Sequence, residues 1–429
     1  MADRFIDVDE RPPLSRWLPL SFQHVFAMFG ATVLVPLLTG LNPSTALLTS
    51  GVGTLVYIAI TGGKVPAYLG SSFAFIAPII AISAAYGVEY MLGAAFCAGL
   101  MYLVVAGIIR LFGKDWIARF LPPVVIGSVI MVIGLNLAPV AMDMSMGTAT
   151  GEYSLSHVAI AAVTLGIAIT AAVALKGFFT VIPILIGIVG GYLFTLIMGF
   201  FLPSFQLIDF AVVRDARWFG FIAPPGIRFN FVAIVTFALV SFATIAEHLG
   251  DTVVMSKVVG KDFYVDPGLH RTLAGDGVAT SLAALLGGPP NTTYGENIGV
   301  MAITRVYSVW VIGGAAVIAA VLSFVQKFGA IIQTIPTPVM GGISMMLFGI
   351  IASAGIRTVV ESGVDYSHKR NLTISSVILV IGIGGGRLFF PIGELIQFEL
   401  GGVALATLIG IVLNLILPRE KLENGHVES

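Results

Sequence analysis

From about residue 18 to about residue 417 the chain is a near-unbroken succession of apolar runs, each about long enough to cross a lipid bilayer. A helical span needs about 20 apolar residues, within a range of roughly 17–25. Inside hydrocarbon every backbone polar group must find a partner within the protein, so the expected fold class is an all-α polytopic membrane protein. Charged residues make up 10% of the chain, against roughly 25% in soluble domains, which excludes a soluble body carrying a single anchor. The net charge of −1 provides no basic surface for nucleic acid. Cys97 is the only cysteine, so no intrachain disulfide can form, and its apolar neighbours make it a packing residue.

Hydropathy predicts about fourteen spans, near 18–39, 44–61, 67–85, 91–111, 121–139, 156–174, 179–201, 230–250, 270–287, 291–305, 308–325, 336–354, 371–386 and 398–417. With the N-terminus placed inside, only Arg214, Arg217, Arg228, Lys327 and Arg387 of the 22 Lys and Arg fall outside. That bias follows the positive-inside rule and predicts an even number of spans with both ends cytoplasmic. Met1 to Arg16 is polar and lacks the parts of a secretory leader, so the first span is expected to act as the insertion signal.

An internal repeat divides the chain. Pro123-Val124-Val125-Ile126-Gly127 through Gly134 resembles Pro338-Val339-Met340-Gly341-Gly342 through Gly349, in the fifth and twelfth spans. In the third and tenth spans, Pro66 before Ser71-Ser72-Phe73 stands against Pro289 before Tyr294-Gly295-Glu296. Both pairs are seven spans apart, and an odd number inverts the second copy. The predicted organisation is a cytoplasmic segment at 1–17, a first seven-span repeat at 18–201, a connecting loop at 202–229, an inverted second repeat at 230–417 and a cytoplasmic tail at 418–429. Paired, interrupted segments in two inverted halves point to a transporter's midplane site.

Asn291 to Gly299 is the most polar stretch within an apolar surrounding, and Pro289 and Pro290 forbid a regular helix across its start. Such backbone is tolerated at membrane depth only where it is buried in protein or lines a cavity. Glu296 lies in it, and intramembrane charges are costly and functional by default. In the eighth span Glu247 and Asp251 stand four residues apart, which puts both carboxylates on one helix face. Apolar surroundings and neighbouring carboxylates both favour the protonated form of an acid, so Glu247, Asp251 and Glu296 are candidates for proton coupling. Asp276 is expected to bond backbone or a neighbouring span, and His248 to be a packing or interfacial residue.

Phe73 and Tyr294 offer rings on the two broken segments, and the repeat sets Phe73 against Glu296. Short extended segments leave backbone N–H groups for ligand oxygens. Carboxylates for N–H donors, backbone amides for C=O acceptors and a ring for stacking together fit a nucleobase. A free anion would be repelled by Glu247 and Glu296. A bare metal ion would leave the rings and glycines unexplained. The chain shows no metal motif, nucleophile elbow or phosphate loop, so no enzyme and no cofactor is expected.

At these residues the chain resembles the nucleobase–ascorbate transporter family, most closely its bacterial uracil permeases. Glu296-Asn297-Ile298-Gly299 followed by Thr304-Arg305 fits the family's acid-or-amide, Asn-x-Gly and Thr-Arg signature. Gln23-His24 fits its Gln-His motif, Ala246-Glu247-His248 its eighth-span acid, and Pro66 to Phe73 its third-span strand. The resemblance implies short antiparallel strands in discontinuous spans 3 and 10. It also implies a core domain from spans 1–4 and 8–11 and a gate domain from spans 5–7 and 12–14. It further implies proton symport in the bacterial inner (plasma) membrane and a homodimer formed through the gate. Carried over, Glu247 and Glu296 would bind uracil N–H groups, backbone at Phe73 and Gly295 its carbonyls, and Tyr294 and Phe73 would line the pocket. One departure stands out. Asp251 occupies the place of the uracil permeases' usual His and matches purine-transporting relatives, which tend to have Gln in place of Glu296.

The sequence therefore predicts a uracil:proton symporter with H+ as the coupling ion. A xanthine or urate symporter is the alternative, and an anion transporter or channel of the same fold is a second.

Overall fold

The computed structural model describes residues 5–148, 151–392 and 396–418. Arg4 and all but residue 418 of the predicted tail lie outside them. The first half runs α1 (Leu14–Thr39), α2 (Pro43–Ile60), β1 (Leu69–Ser71), α3 (Ile76–Tyr86) and α4 (Val88–Phe112). It continues with the short α5 (Asp115–Phe120), then α6 (Pro123–Asn136), α7 (Ala138–Met146), α8 (Leu155–Ala174) and α9 (Pro183–Phe201). The short α10 (Ala211–Asp215) sits in the connector. The second half runs α11 (Phe231–Val259), α12 (Leu269–Leu285), β2 (Asn291–Thr293), α13 (Gly295–Thr304) and α14 (Val309–Ser323). It ends with the short α15 (Gln326–Gln333), α16 (Thr337–Glu361), α17 (Lys369–Ile383), β3 (Arg387–Ile392), β4 (Ile396–Gly401) and α18 (Gly402–Ile416).

Each of the fourteen predicted spans contains a helix, and among the described residues eight helical segments are long and apolar enough by themselves to cross a membrane. Their ends follow local chemistry. Gly40 and Gly260 stop α1 and α11 in the left-handed conformation that glycine adopts without strain. The Asn230 and Ser308 side chains accept backbone N–H groups at the starts of α11 and α14. Large side chains such as Val173, Phe200 and Phe201 are more than 70% exposed, as lipid-facing residues are.

The two interrupted spans meet. β1 and β2 pair antiparallel in the register Leu69–Thr293, Gly70–Thr292 and Ser71–Asn291, so the equivalent segments of the two repeats run in opposite directions. Packing shows the same repetition. α2 packs on α14 as α12 packs on α4, α1 on α14 as α11 on α4, and α17 on α6 as α8 on α16. Each pair maps onto the other by a shift of seven spans. The helices of spans 1–4 and 8–11 pack mainly among themselves, as do those of spans 5–7 and 12–14. α1 and α11 form the main seam, touching α9 and α16, and α6 and α18, respectively.

Several details differ from the sequence reading; α16, for one, runs past residue 354 to Glu361. The eighth span does not end near residue 250 but continues to Val259, so Asp251 lies within the helix. Residues 398–401 are not helical; they belong to a β3–β4 hairpin that precedes α18. Counted from the strands, Phe73 stands two residues after β1 and Gly295 two after β2, so Phe73 is equivalent to Gly295 rather than to Glu296.

Small residues carry the tightest crossings, as expected where apolar helices associate in lipid. A Cβ built on Gly99 of α4 would overlap the carbonyl oxygen of Gly277 on α12, and one on Gly51 of α2 would overlap that of Ala316 on α14. Gly99→Leu is therefore expected to cost about 1–3 kcal/mol or more from overpacking. Thermal unfolding of the purified protein in detergent checks this; an unchanged midpoint would contradict the packing.

Candidate functional site

The ladder between β1 and β2 positions everything in the site. Its outer edges are closed by hydroxyls from flanking helices. Thr54 Oγ1 accepts from Leu69 N at 2.9 Å, Ser50 Oγ donates to Leu69 O at 2.8 Å, and Thr280 Oγ1 donates to Asn291 O at 3.0 Å. The Asn291 amide donates to Thr49 O at 3.0 Å. Two more backbone bonds cross between the segments, Tyr294 N to Tyr68 O and Ser72 N to Pro290 O. Buried strands thus keep their peptide groups satisfied. Immediately past the ladder, a single 3₁₀ turn (Phe73–Phe75) leads into α3, and α13 begins at Gly295. The first N–H groups of a helix lack intrahelical partners, so both breaks present donors to the same region.

Phe73, Glu247, Asp251, Tyr294, Gly295 and Glu296, every residue singled out from the sequence for the site, line one cavity of about 450 Å³. That is within the size of small-molecule pockets. Glu247 and Asp251 project from α11 and Glu296 from the first turn of α13. Asp251 Oδ2 accepts the Thr293 hydroxyl at 2.8 Å, which ties α11 to the end of β2. Glu247 Oε2 is buried without a hydrogen-bond partner among the described residues. Tyr294 is held edge and tip. Its hydroxyl donates to Ser71 O at 3.1 Å and accepts from Thr32 Oγ1 at 3.3 Å, and its ring lies over Gly70, where a Cβ would strike it. The Phe73 ring meets Phe348 of α16 edge-on at 6.0 Å. Phe73 also lines a second cavity, of about 570 Å³, bounded by α3, α6, α11 and the start of α18. It is thus a shared wall between two cavities.

Several contributors escape the sequence reading. Thr293 holds Asp251. Asn297 donates its amide to the His24 carbonyl at 3.2 Å and lies 3.0 Å from His24 Nδ1, so α13 is pinned to α1. Here a signal exists, because amide and imidazole groups inside apolar spans need partners. Arg357 and Thr358 of α16 and Thr180 also line the cavity. His248 is neither interfacial nor simply packed: it is fully buried and bonded to Asp276, whose expected tie to a neighbouring span it supplies. Among the described residues no group of His, Cys, Asp and Glu is arranged to hold a metal.

Residues 15–389 match the family described as Permease family, Xan_ur_permease. The chain is 52% identical over 419 residues to a uracil permease of Bacillus caldolyticus, covering 96% of this chain and 94% of the relative. It is 50% identical to the uracil permease of Bacillus subtilis strain 168, covering 98% and 97%, and 47% identical to that of Escherichia coli K12, covering 97% and 94%. Among solved structures, the transmembrane domain of a cyanobacterium bicarbonate transporter, BicA, is similar with a TM-score of 0.62 at 14% identity. That match covers 84% of this chain and 98% of the other. The murine anion transporter Slc26a9 in its inward-facing state is similar with a TM-score of 0.67 at 11% identity, covering 95% and 68%. At these identities the likeness is one of fold.

The clearance over Gly70 yields a test. Gly70→Val must displace the Tyr294 ring, and is expected to weaken ligand binding tenfold or more while the protein stays folded. Isothermal titration of the purified variant checks it, and unchanged affinity would remove Tyr294 from the site.

Proposed function

The chain belongs to the permease family that includes the nucleobase–ascorbate transporters, and from that premise we propose that it carries uracil across the membrane together with a proton. It is a multi-pass membrane protein and a transporter rather than an enzyme. The choice of uracil is supported by the curated relatives at 46–52% identity, which are named uracil permeases. The observation that carries the reading is the convergence of Glu247, Glu296 and two helix starts on one cavity.

In this reading the Glu247 and Glu296 carboxylates accept the two ring N–H groups of uracil. Backbone N–H groups at Phe73 and Gly295 donate to its carbonyls, and the rings of Phe73 and Tyr294 bound its faces. The unpartnered Glu247 oxygen supports this, since buried polar atoms are otherwise nearly always satisfied. Glu247 and Asp251 share the coupling proton, with Glu296 as the third acid. A proton held by the Glu247–Asp251 pair lowers the negative charge facing uracil and leaves carboxylate oxygens to accept its N–H groups, so proton and substrate occupy the site together.

Transport proceeds by alternating access. Spans 1–4 and 8–11 form a core that holds the site, and spans 5–7 and 12–14 form a gate. Relative movement along α1 and α11 opens the two cavities beside Phe73 in turn. The protein resides in a bacterial inner membrane as a homodimer joined through the gate, with both termini cytoplasmic.

The test is uptake of labelled uracil into proteoliposomes under an imposed inward proton gradient. Accumulation should require the gradient and be competed by 5-fluorouracil but not by xanthine. Competition by xanthine, or no uracil uptake, would favour the purine reading. Removing the charge in Glu296→Gln should forfeit roughly 1.5–3 kcal/mol, tenfold or more in apparent affinity. Asp251→Asn should lose gradient-driven accumulation while retaining uracil exchange between the two sides. Undiminished accumulation in that variant would remove Asp251 from coupling.

A further inference from the structure

The cavity accounts for the acids on one side of α11, but not for the groups buried on another. His248 and Asp276 are both wholly inaccessible, and neither lines the cavity. His248 Nδ1 lies 3.0 Å from Asp276 Oδ2 and Nε2 lies 3.1 Å from Thr272 Oγ1, so the imidazole is tied to α12 through both nitrogens. The Tyr57 ring of α2 meets it at 6.5 Å, close to edge-on. One turn earlier, Thr244 takes a hydrogen bond from Tyr102 of α4. One residue later, the Leu249 carbonyl accepts from the Tyr264 hydroxyl at 2.9 Å. Asp276 Oδ1 and the Tyr57 hydroxyl are buried without hydrogen-bond partners among the described residues. A carboxylate kept in this setting is costly, and packing alone does not require one.

The geometry of α11 gives the pair a task. At about 100° per residue, Glu247 lies about 100° and Asp251 about 60° to the same side of His248. The direction of both cavity acids therefore follows from how the imidazole is anchored. Rotation of a membrane helix is set by its neighbours, and hydrogen bonds add a directional constraint that apolar contacts lack. We propose that the His248–Asp276 pair is a positioning device: by fixing the rotation of α11 against α12, it aims Glu247 and Asp251 into the cavity. The proposal rests on reading that cavity as the substrate site.

Two readouts separate the pair from that reading. The first needs no substrate: carbodiimide labelling of Glu247 and Asp251 in the purified protein, followed by mass spectrometry, with exposed Glu152, before α8, as internal reference. His248→Ala and Asp276→Ala should change the labelling rate of both acids at least fivefold, and leave Glu152 unchanged. Asp276→Asn keeps an acceptor for the imidazole and should stay within twofold of the parent. Thr272→Val cuts one tether only and should give a two- to threefold change; it serves if the alanine variants do not fold. The second readout is the concentration dependence of uracil uptake, in which the alanine variants should raise KM tenfold or more with Vmax largely kept. Unchanged labelling and KM in the alanine variants would overturn the proposal, as would an Asp276→Asn variant that fares no better than Asp276→Ala. If the parent takes up no uracil while labelling follows the expected pattern, the functional reading fails and the positioning role stands.

Discussion

Six residues of extended backbone held inside a membrane protein are the constraint on which the rest of this structure depends. A strand in hydrocarbon has unpaired peptide groups along both edges, and each one left unsatisfied costs several kcal/mol. β1 and β2 close their inner edges on each other, and the outer edges draw hydroxyls from α2 and α12. That requirement explains why Ser50, Thr54 and Thr280 sit where α2 and α12 face the strands. It also explains the glycines. Gly53 leaves room for the Asn291 side chain and Gly70 for the Tyr294 ring. The ladder can exist only at the centre of the helices that complete it, so the site is fixed where the two repeats cross.

The arrangement also concentrates charge. Three carboxylates and two helix starts face one cavity, and bonds to β2, α1 and α12 hold the helices that carry the acids. Thr293 ties Asp251 to β2, Asn297 ties α13 to α1, and the His248 ring ties α11 to α12. Low dielectric makes each of these polar links stronger than it would be in water, and makes a missing one more costly. The site is held by directional bonds, whereas at the seam glycines meet apolar side chains, Gly30 of α1 against Ile184 of α9 and Gly250 of α11 against Ile130 of α6. The proposed movement of one helix group past the other needs this division: firm inside the group, smooth along the seam.

Much of this is legible in the sequence where the signal is local. The Asn291–Gly299 run announces a broken span because proline and intramembrane charge are both conspicuous, and the four-residue spacing of Glu247 and Asp251 fixes their common face. Signals fail where structure depends on distant partners. Hydropathy ends α11 too early because the polar residues after Gly250 lower it without ending the helix; Asp251 is accommodated by Thr293, 42 residues away. His248 looks like packing because its partner Asp276 lies 28 residues on, in another helix. Residues 398–401, the end of β4, read as the start of a span because they run on into the apolar stretch of α18. The pairing of Phe73 with Glu296 misses by one residue, since the prolines before the two strands stand at unequal offsets.

The same scaffold serves solutes of opposite character, and the reason lies in what this chain places at the helix starts. Two half-helices beginning at one point present a partial positive charge, roughly half an elementary charge each, along with free N–H groups. Left alone, that is a site for an anion. Here Glu296 occupies the first turn of α13, and Glu247 and Asp251 face it from α11. The added negative charge offsets the helix starts and turns the cavity from an anion site into one that offers donors and acceptors side by side. In the reading proposed above, a neutral ring with alternating N–H and C=O groups would use both sets at once, and the proposed proton shared among the acids would make up the remaining difference in charge. What the fold supplies is the position of the helix ends; the sign of the site is set by three side chains.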